Sequence, residues 1–105
     1  MRADSLRDQE YFEEVVSAVR TGDLSFIEAA RQCAKLDIGP ALEWFISYLH
    51  RSVIKDKRMR SNQNIYLFLD RLNYMYSLIV SGSNVNQLLM WEELLMSWRQ
   101  TYFSK

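Results

Sequence analysis

The sequence predicts an all-α fold, a single orthogonal bundle of five helices over residues 1–105, and three observations carry that prediction. Only three glycines and one proline interrupt the 105 residues, so few positions break a helix, and β-branched residues are sparse. The chain is 49% apolar and 25% charged, the balance of a folded domain with one core. Most directly, Leu88, Trp91, Leu95, Trp98 and Tyr102 recur at steps of 3, 4, 3 and 4, which aligns them on one stripe of a helix. Leu89, Met90, Leu94 and Met96 lie off that stripe. A helix apolar on so many sides should be covered on more than one of them.

The first helix is expected over about residues 5–20, with Phe12, Val15, Val16 and Val19 as its apolar stripe and Thr21-Gly22 as its stop. Asp23 or Ser25 then caps a second helix. Ser25 followed by Glu28 has capping-box spacing, in which each side chain bonds the other's free backbone N–H. The face of this helix is Ile27, Ala30, Cys33 and Ala34, small enough for a neighbour to approach closely. On such a face Cys33 reads as a packed hydrophobe and not as a nucleophile. Asp37-Ile38-Gly39-Pro40 is the next break, and Pro40 suits the first turn of a third helix running from Ala41 to about Lys57. Its stripe is Leu42, Phe45, Ile46, Leu49 and Val53, broadened by Ala41, Trp44 and Tyr48.

That helix runs into a basic cluster, Arg51, Lys55, Lys57, Arg58 and Arg60, opposed only by Asp56. Two readings fit it. One is a solvated helix end whose cations complement the helix dipole for about 0.3–1 kcal/mol each. The other is a contact patch for nucleic acid or an acidic partner, although the aromatic interleaving of a single-strand binder is missing. Charge is also divided along the chain. Residues 1–50 carry five basic and nine acidic side chains, about −4, and residues 51–105 carry eight basic and four acidic, about +4.

A fourth helix is expected from about Gln63 to Val80, after the polar connector at residues 61–64. Ile65, Phe68, Leu69, Leu72, Tyr76 and Ile79 form one face, and Leu67, Tyr74, Met75 and Leu78 form much of another. Between Ser61 and Trp98 only Asp70, Arg71, Glu92 and Glu93 are charged, four in thirty-eight residues. The turn Gly82-Ser83-Asn84 joins the fourth and fifth helices as an antiparallel hairpin. A domain of this size cannot hide two such helices completely, and contiguous exposed apolar surface marks a protein interface. The expectation is a subunit. Tyr66, Tyr74, Met90, Trp91, Trp98 and Tyr102 are the candidate interface anchors, since aromatics concentrate binding energy at interfaces. The competing reading of each is ordinary core packing.

Catalytic and cofactor chemistry is not expected. No glycine-rich phosphate loop occurs, and no serine sits in a nucleophile elbow. The pairs Glu13/Glu14 and Glu92/Glu93 are adjacent, so on a helix their carboxylates diverge by about 100°. One cysteine and one histidine, Cys33 and His50, cannot build a structural zinc site or an intrachain disulfide. No apolar run approaches the roughly 20 residues of a membrane span, and the first ten residues carry charges where a signal peptide is apolar. The expectation is a cytoplasmic chain with no membrane contact, cofactor, metal or small-molecule substrate.

Three stretches carry a family resemblance. Val19-Arg20-Thr21-Gly22-Asp23-Leu24 leads into the alanine-rich helix. Leu42-Glu43-Trp44-Phe45-Ile46-Ser47-Tyr48-Leu49 is similar to a Leu-Glu-Trp-Leu helix. Asn86-Gln87-Leu88-Leu89 with Glu92-Glu93-Leu94-Leu95-Met96-Ser97-Trp98 is similar to a closing leucine-rich helix. Their order resembles the C-terminal domain of the delta-prime subunit of bacterial DNA polymerase III, a clamp-loader component, over essentially the whole chain. The family pattern often has proline after the asparagine, where this chain has Gln87. The resemblance implies a collar domain, one of five helical domains whose ring holds the loader together while AAA+ domains, absent from these residues, place the sliding clamp on primed DNA. It implies delta and tau/gamma C-terminal domains as partners, DNA reached only through the assembled complex, and no turnover by the chain itself within the DNA polymerase III holoenzyme. The alternative is a helical dimerisation or ligand-sensing domain of a regulatory protein, which requires an internal apolar pocket and a self-complementary surface.

Overall fold

In the computed structural model the backbone is described from Arg2 to Phe103 and the side chains from residue 6 to residue 101. Six helices follow one another with no strand among the described residues: α1 Arg2–Thr21, α2 Phe26–Cys33, α3 Ile38–Lys55, α4 Lys57–Arg60, α5 Gln63–Val80 and α6 Gln87–Phe103. The all-α class holds. The element added to the expected five is α4, a single turn that follows the third helix.

Local chemistry sets each boundary. Gly22 takes φ +87°, a left-handed conformation that glycine adopts without steric cost. Bonds from Gly22 N to Val19 O (3.2 Å) and Leu24 N to Ala18 O (3.2 Å) then close the end of α1. Ser25 caps α2 by accepting from Glu28 N at 3.2 Å. Only this half of the expected capping box forms, because the Glu28 carboxylate turns to Arg31 (3.5 Å) and Gln32 (3.5 Å). α3 begins at Ile38, three residues before the expected Ala41, with Pro40 inside its first turn, where a missing N–H costs nothing.

Asp56 explains the break after α3. Its backbone is extended (φ −114°, ψ 113°) and its N–H donates to Ser52 O at 2.9 Å. Its Oδ1 accepts from Arg58 N at 2.9 Å. The residue therefore ends α3 and caps α4, and buried Met59 pins the turn to the core. Asn62 does two jobs at the next boundary. Its Oδ1 accepts from Asn64 N (2.9 Å) to cap α5, while its Nδ2 donates to Thr101 O (3.1 Å) on α6. Asn86 Oδ1 accepts from Leu89 N at 3.1 Å, which makes the asparagine of the closing motif the N-cap of α6 and places Gln87 at its first helical position. Proline is favoured there on general grounds.

One core joins α1, α3, α5 and α6 through aromatic rings. Phe45 on α3 is the hub, with ring centroids 5.6 Å from Phe12, 5.4 Å from Phe68 and 5.6 Å from Trp98. Trp91 lies 5.6 Å from Phe12. These edge-on and tilted pairs add about 0.5–1.5 kcal/mol each beyond the area they bury. α2 packs chiefly on α6 through Ala29, Ala30 and Cys33, all buried. Small side chains permit that closeness. Ile27, expected on this face, is instead exposed, because the buried arc of the short helix is centred on Ala29–Ala30–Cys33.

Candidate protein–protein interface

The burial of α6 separates the candidate anchors into two groups. Met90, Trp91 and Trp98 are 6%, 0% and 0% exposed, so as interface anchors they are corrected to core residues of this domain. The physical reason is the rotation of α6. Its buried arc runs Met90, Trp91, Leu94, Leu95 and Trp98, and Leu88, the first member of the expected stripe, is exposed. Tyr66 and Tyr74 stand on the surface at 44% and 62% exposure. Tyr66 donates to Arg60 O at 3.0 Å, which places it at the α4 corner. The side chain of Tyr102 lies outside the described residues.

Two cross-links show that α5 and α6 run antiparallel and set their register. Asn62 bonds Thr101 O near one end, and Arg71 Nη2 meets Glu93 Oε1 at 2.7 Å near the middle. The same register puts Leu67 at the level of Met96 and Tyr74 at the level of Leu89 along the hairpin. All four are exposed. Helical spacing agrees: Leu67, Arg71 and Tyr74 lie at steps of 4 and 3, and Leu89, Glu93 and Met96 do likewise. The outward side of the hairpin therefore carries four apolar side chains together with the Arg71–Glu93 ion pair and the exposed Asp70, which lies between Leu67 and Tyr74 at steps of 3 and 4. Because Arg71 and Glu93 are 48% and 63% exposed, their pairing contributes at most about 1 kcal/mol. It is better placed to orient than to stabilise.

Leu67, Leu89 and Met96 join Tyr74 as surface candidates that the aromatic criterion passed over. The 3–4 spacing of Leu67, Arg71 and Tyr74 was visible along the chain. Its convergence with α6 depends on register and was not.

The basic cluster behaves mostly as a solvated helix end. Arg51 pairs with the Glu13 carboxylate of α1, and Arg60 Nη1 donates to Ile54 O at 2.8 Å, satisfying a carbonyl left open at the end of α3. Lys55, Lys57 and Arg58 are exposed around them. The five cations are thus spread over the end of α3 and the surface of a single turn.

No group of three or more His, Cys, Asp or Glu side chains among the described residues could hold a metal ion, and His50 is exposed. Tyr76 donates to the Glu43 carboxylate, which raises the tyrosine pKa. Cys33 is buried, and burial pushes its thiol from 9.0 up to about 12. It therefore stays protonated, without nucleophilic character. The sign of the stability effect follows. The folded state holds this proton more tightly than the unfolded state, so the contribution is complete below pH about 9 and is lost as pH rises toward about 12. Urea midpoints measured from pH 8 to 11 are expected to fall above pH 9. Cys33→Ala should flatten that fall, while Tyr76, unchanged in the variant, continues to titrate in both proteins. Equal slopes in the two proteins would remove Cys33 from the account.

No helix among the described residues is long and apolar enough to cross a membrane. Comparison with family models, with curated proteins and with solved structures returned no match. The functional reading rests on the residues themselves.

Proposed function

We propose that this chain is a non-catalytic assembly domain, the collar-type C-terminal domain of a delta-prime clamp-loader subunit acting in bacterial DNA replication. The observation that carries the reading is the outward face of the α5–α6 hairpin. After the core is complete, Leu67, Tyr74, Leu89 and Met96 remain exposed beside the Arg71–Glu93 ion pair and the exposed Asp70. Four large apolar side chains on one face are costly to leave in water and favour a permanent neighbour. The order of the motifs supports the specific family. Asn86 serves as the cap that opens the closing helix, and Trp98 anchors that helix in the core.

In this role the delta and tau/gamma C-terminal domains are the neighbours, DNA is reached only through the assembled complex, and the site of action is the cytoplasm. The α5–α6 cleft is open and lined by both polar and apolar side chains. This favours assembly over the ligand-sensing alternative, which needs an enclosed apolar chamber. Mixing the chain with matching delta and tau/gamma C-terminal regions is expected to give one stable complex in size-exclusion chromatography with light scattering. Three separate, folded species at micromolar concentration would sink the collar reading.

A further inference from the structure

Two cations of the α3–α4 corner serve the fold and three do not. Arg51 pairs with Glu13 of α1, and the Arg60 guanidinium closes the end of α3 by donating to Ile54 O. Lys55, Lys57 and Arg58 are exposed, and among the described residues no carboxylate lies within ion-pair distance of them. Asp56, the acid between them, turns its Oδ1 to Arg58 N at 2.9 Å to cap α4. Lys55, Lys57, Arg58 and Arg60 against Asp56 leave a formal charge of about +3 on the corner.

Apolar surface lies among these charges. Ile54 is 70% exposed, the most open of the large apolar side chains. Arg60 joins it to Tyr66, because its Nη1 donates to Ile54 O at 2.8 Å and its carbonyl accepts from the Tyr66 hydroxyl at 3.0 Å. A single exposed apolar residue is ordinary. One set beside unpaired cations offers a ligand two kinds of contact in one place.

The extent of the patch decides its occupant. Glu13 with Arg51, and Ser17 with Tyr48 at 3.4 Å, set α1 antiparallel to α3. That register brings exposed Glu10 to the level of Ile54 and Lys55. Exposed Asp70 lies one turn beyond Tyr66 on α5. A nucleic-acid strand running past the corner would meet these carboxylates, on a chain whose net charge is +0, and its phosphates have no use for Ile54. A short acidic segment meets the cations alone, and an apolar side chain within it covers Ile54.

We propose that the α3–α4 corner binds a short acidic segment of a partner protein. Its carboxylates pair with Lys55, Lys57 and Arg58, and one large apolar side chain lies against Ile54 and Tyr66. Arg58 can take a carboxylate through two parallel bonds, and the lysines act as point charges. The inference goes beyond the assembly reading and does not rest on it, since Leu67, Tyr74, Leu89 and Met96 take no part.

The test titrates the full chain at low salt with a fluorescein-labelled synthetic peptide of aspartates around a central leucine, read by anisotropy. Saturable binding is expected, weakening as salt screens the exposed charges. Lys55→Gln, Lys57→Gln and Arg58→Gln should each weaken it by up to about fivefold, the range of an exposed ion pair, and the triple variant should abolish it. Ile54→Ser should weaken it at least about threefold with the salt dependence unchanged. Lys35→Gln, which removes an exposed lysine at the opposite end of α3, should leave it unchanged. All of these side chains are exposed, so the variants should melt with the wild type. Absence of binding, or equal binding by the triple variant or by Ile54→Ser, overturns the proposal. So does an asparagine-for-aspartate peptide that binds as tightly. Tighter binding of oligothymidylate overturns it in favour of nucleic acid. A doubled mass in light scattering before peptide is added, lost in the triple variant, overturns it in favour of a second copy.

Discussion

Replacing Phe45 with alanine is expected to cost about 3–5 kcal/mol, the range for truncating a buried aromatic, and to bring the domain close to unfolding. Phe45 is fully buried and meets rings from three other helices, Phe12 of α1, Phe68 of α5 and Trp98 of α6. Its removal opens one void that all four helices line, so no single side chain can move in to fill it. Natural domains hold only about 5–15 kcal/mol of net stability. For a chain of this size each kcal/mol corresponds to roughly 4–8 °C in Tm, so a fall of at least about 12 °C is expected in a circular-dichroism melt. Phe45→Leu retains most of the volume and should recover more than half of the loss. A Tm within about 4 °C of wild type for Phe45→Ala would mean that the four helices do not share one core.

The same ring cluster shows how far the fold could be read along the chain. Phe12, Val16, Leu42, Phe45, Leu49, Ile65, Phe68 and Leu72 sit at helical spacing within segments that are polar on at least one side, and all are buried as that spacing requires. α6 differs because it is apolar on several sides. Periodicity then identifies a helix without saying which arc faces the domain's own core. Tertiary placement decides it: α6 lies against α1, α2 and α5 together, and the arc from Met90 to Trp98 is the one they cover. Trp91 and Trp98, candidates for a partner on composition alone, became core for that reason. The division of the third helix was legible only in part. Asp56 is a cap residue by type, but its double role needed a buried Met59 to hold the following turn in place. The hairpin topology followed from the Gly82 turn, which takes φ +88°. The α5–α6 register depends on contacts between residues more than twenty apart, Arg71 with Glu93 and Asn62 with Thr101.

The two buried tryptophans of α6 are expected to respond differently to the same substitution. Both are fully buried, and truncation of either to alanine should cost about 3–5 kcal/mol. Their indole nitrogens differ. Trp98 Nε1 donates to Val16 O at 3.1 Å, tying α6 to α1, whereas Trp91 Nε1 is buried with no hydrogen-bond partner. Phenylalanine removes the N–H from both sites and leaves a comparable gap. At position 98 it also forfeits a hydrogen bond worth about 0.5–1.5 kcal/mol net; at position 91 it removes an unsatisfied donor whose burial costs about 1–3 kcal/mol. Trp98→Phe should therefore be the more destabilising of the two, by roughly 2 kcal/mol or more, in urea titrations followed by far-ultraviolet circular dichroism. If Trp91→Phe proves equally costly, the Trp91 N–H has a partner in solution, and a buried water near α6 becomes the group to look for. If Trp98→Phe proves mild, the bond to Val16 O is not what fixes α6 against α1, and the aromatic packing around Phe45 carries that junction alone.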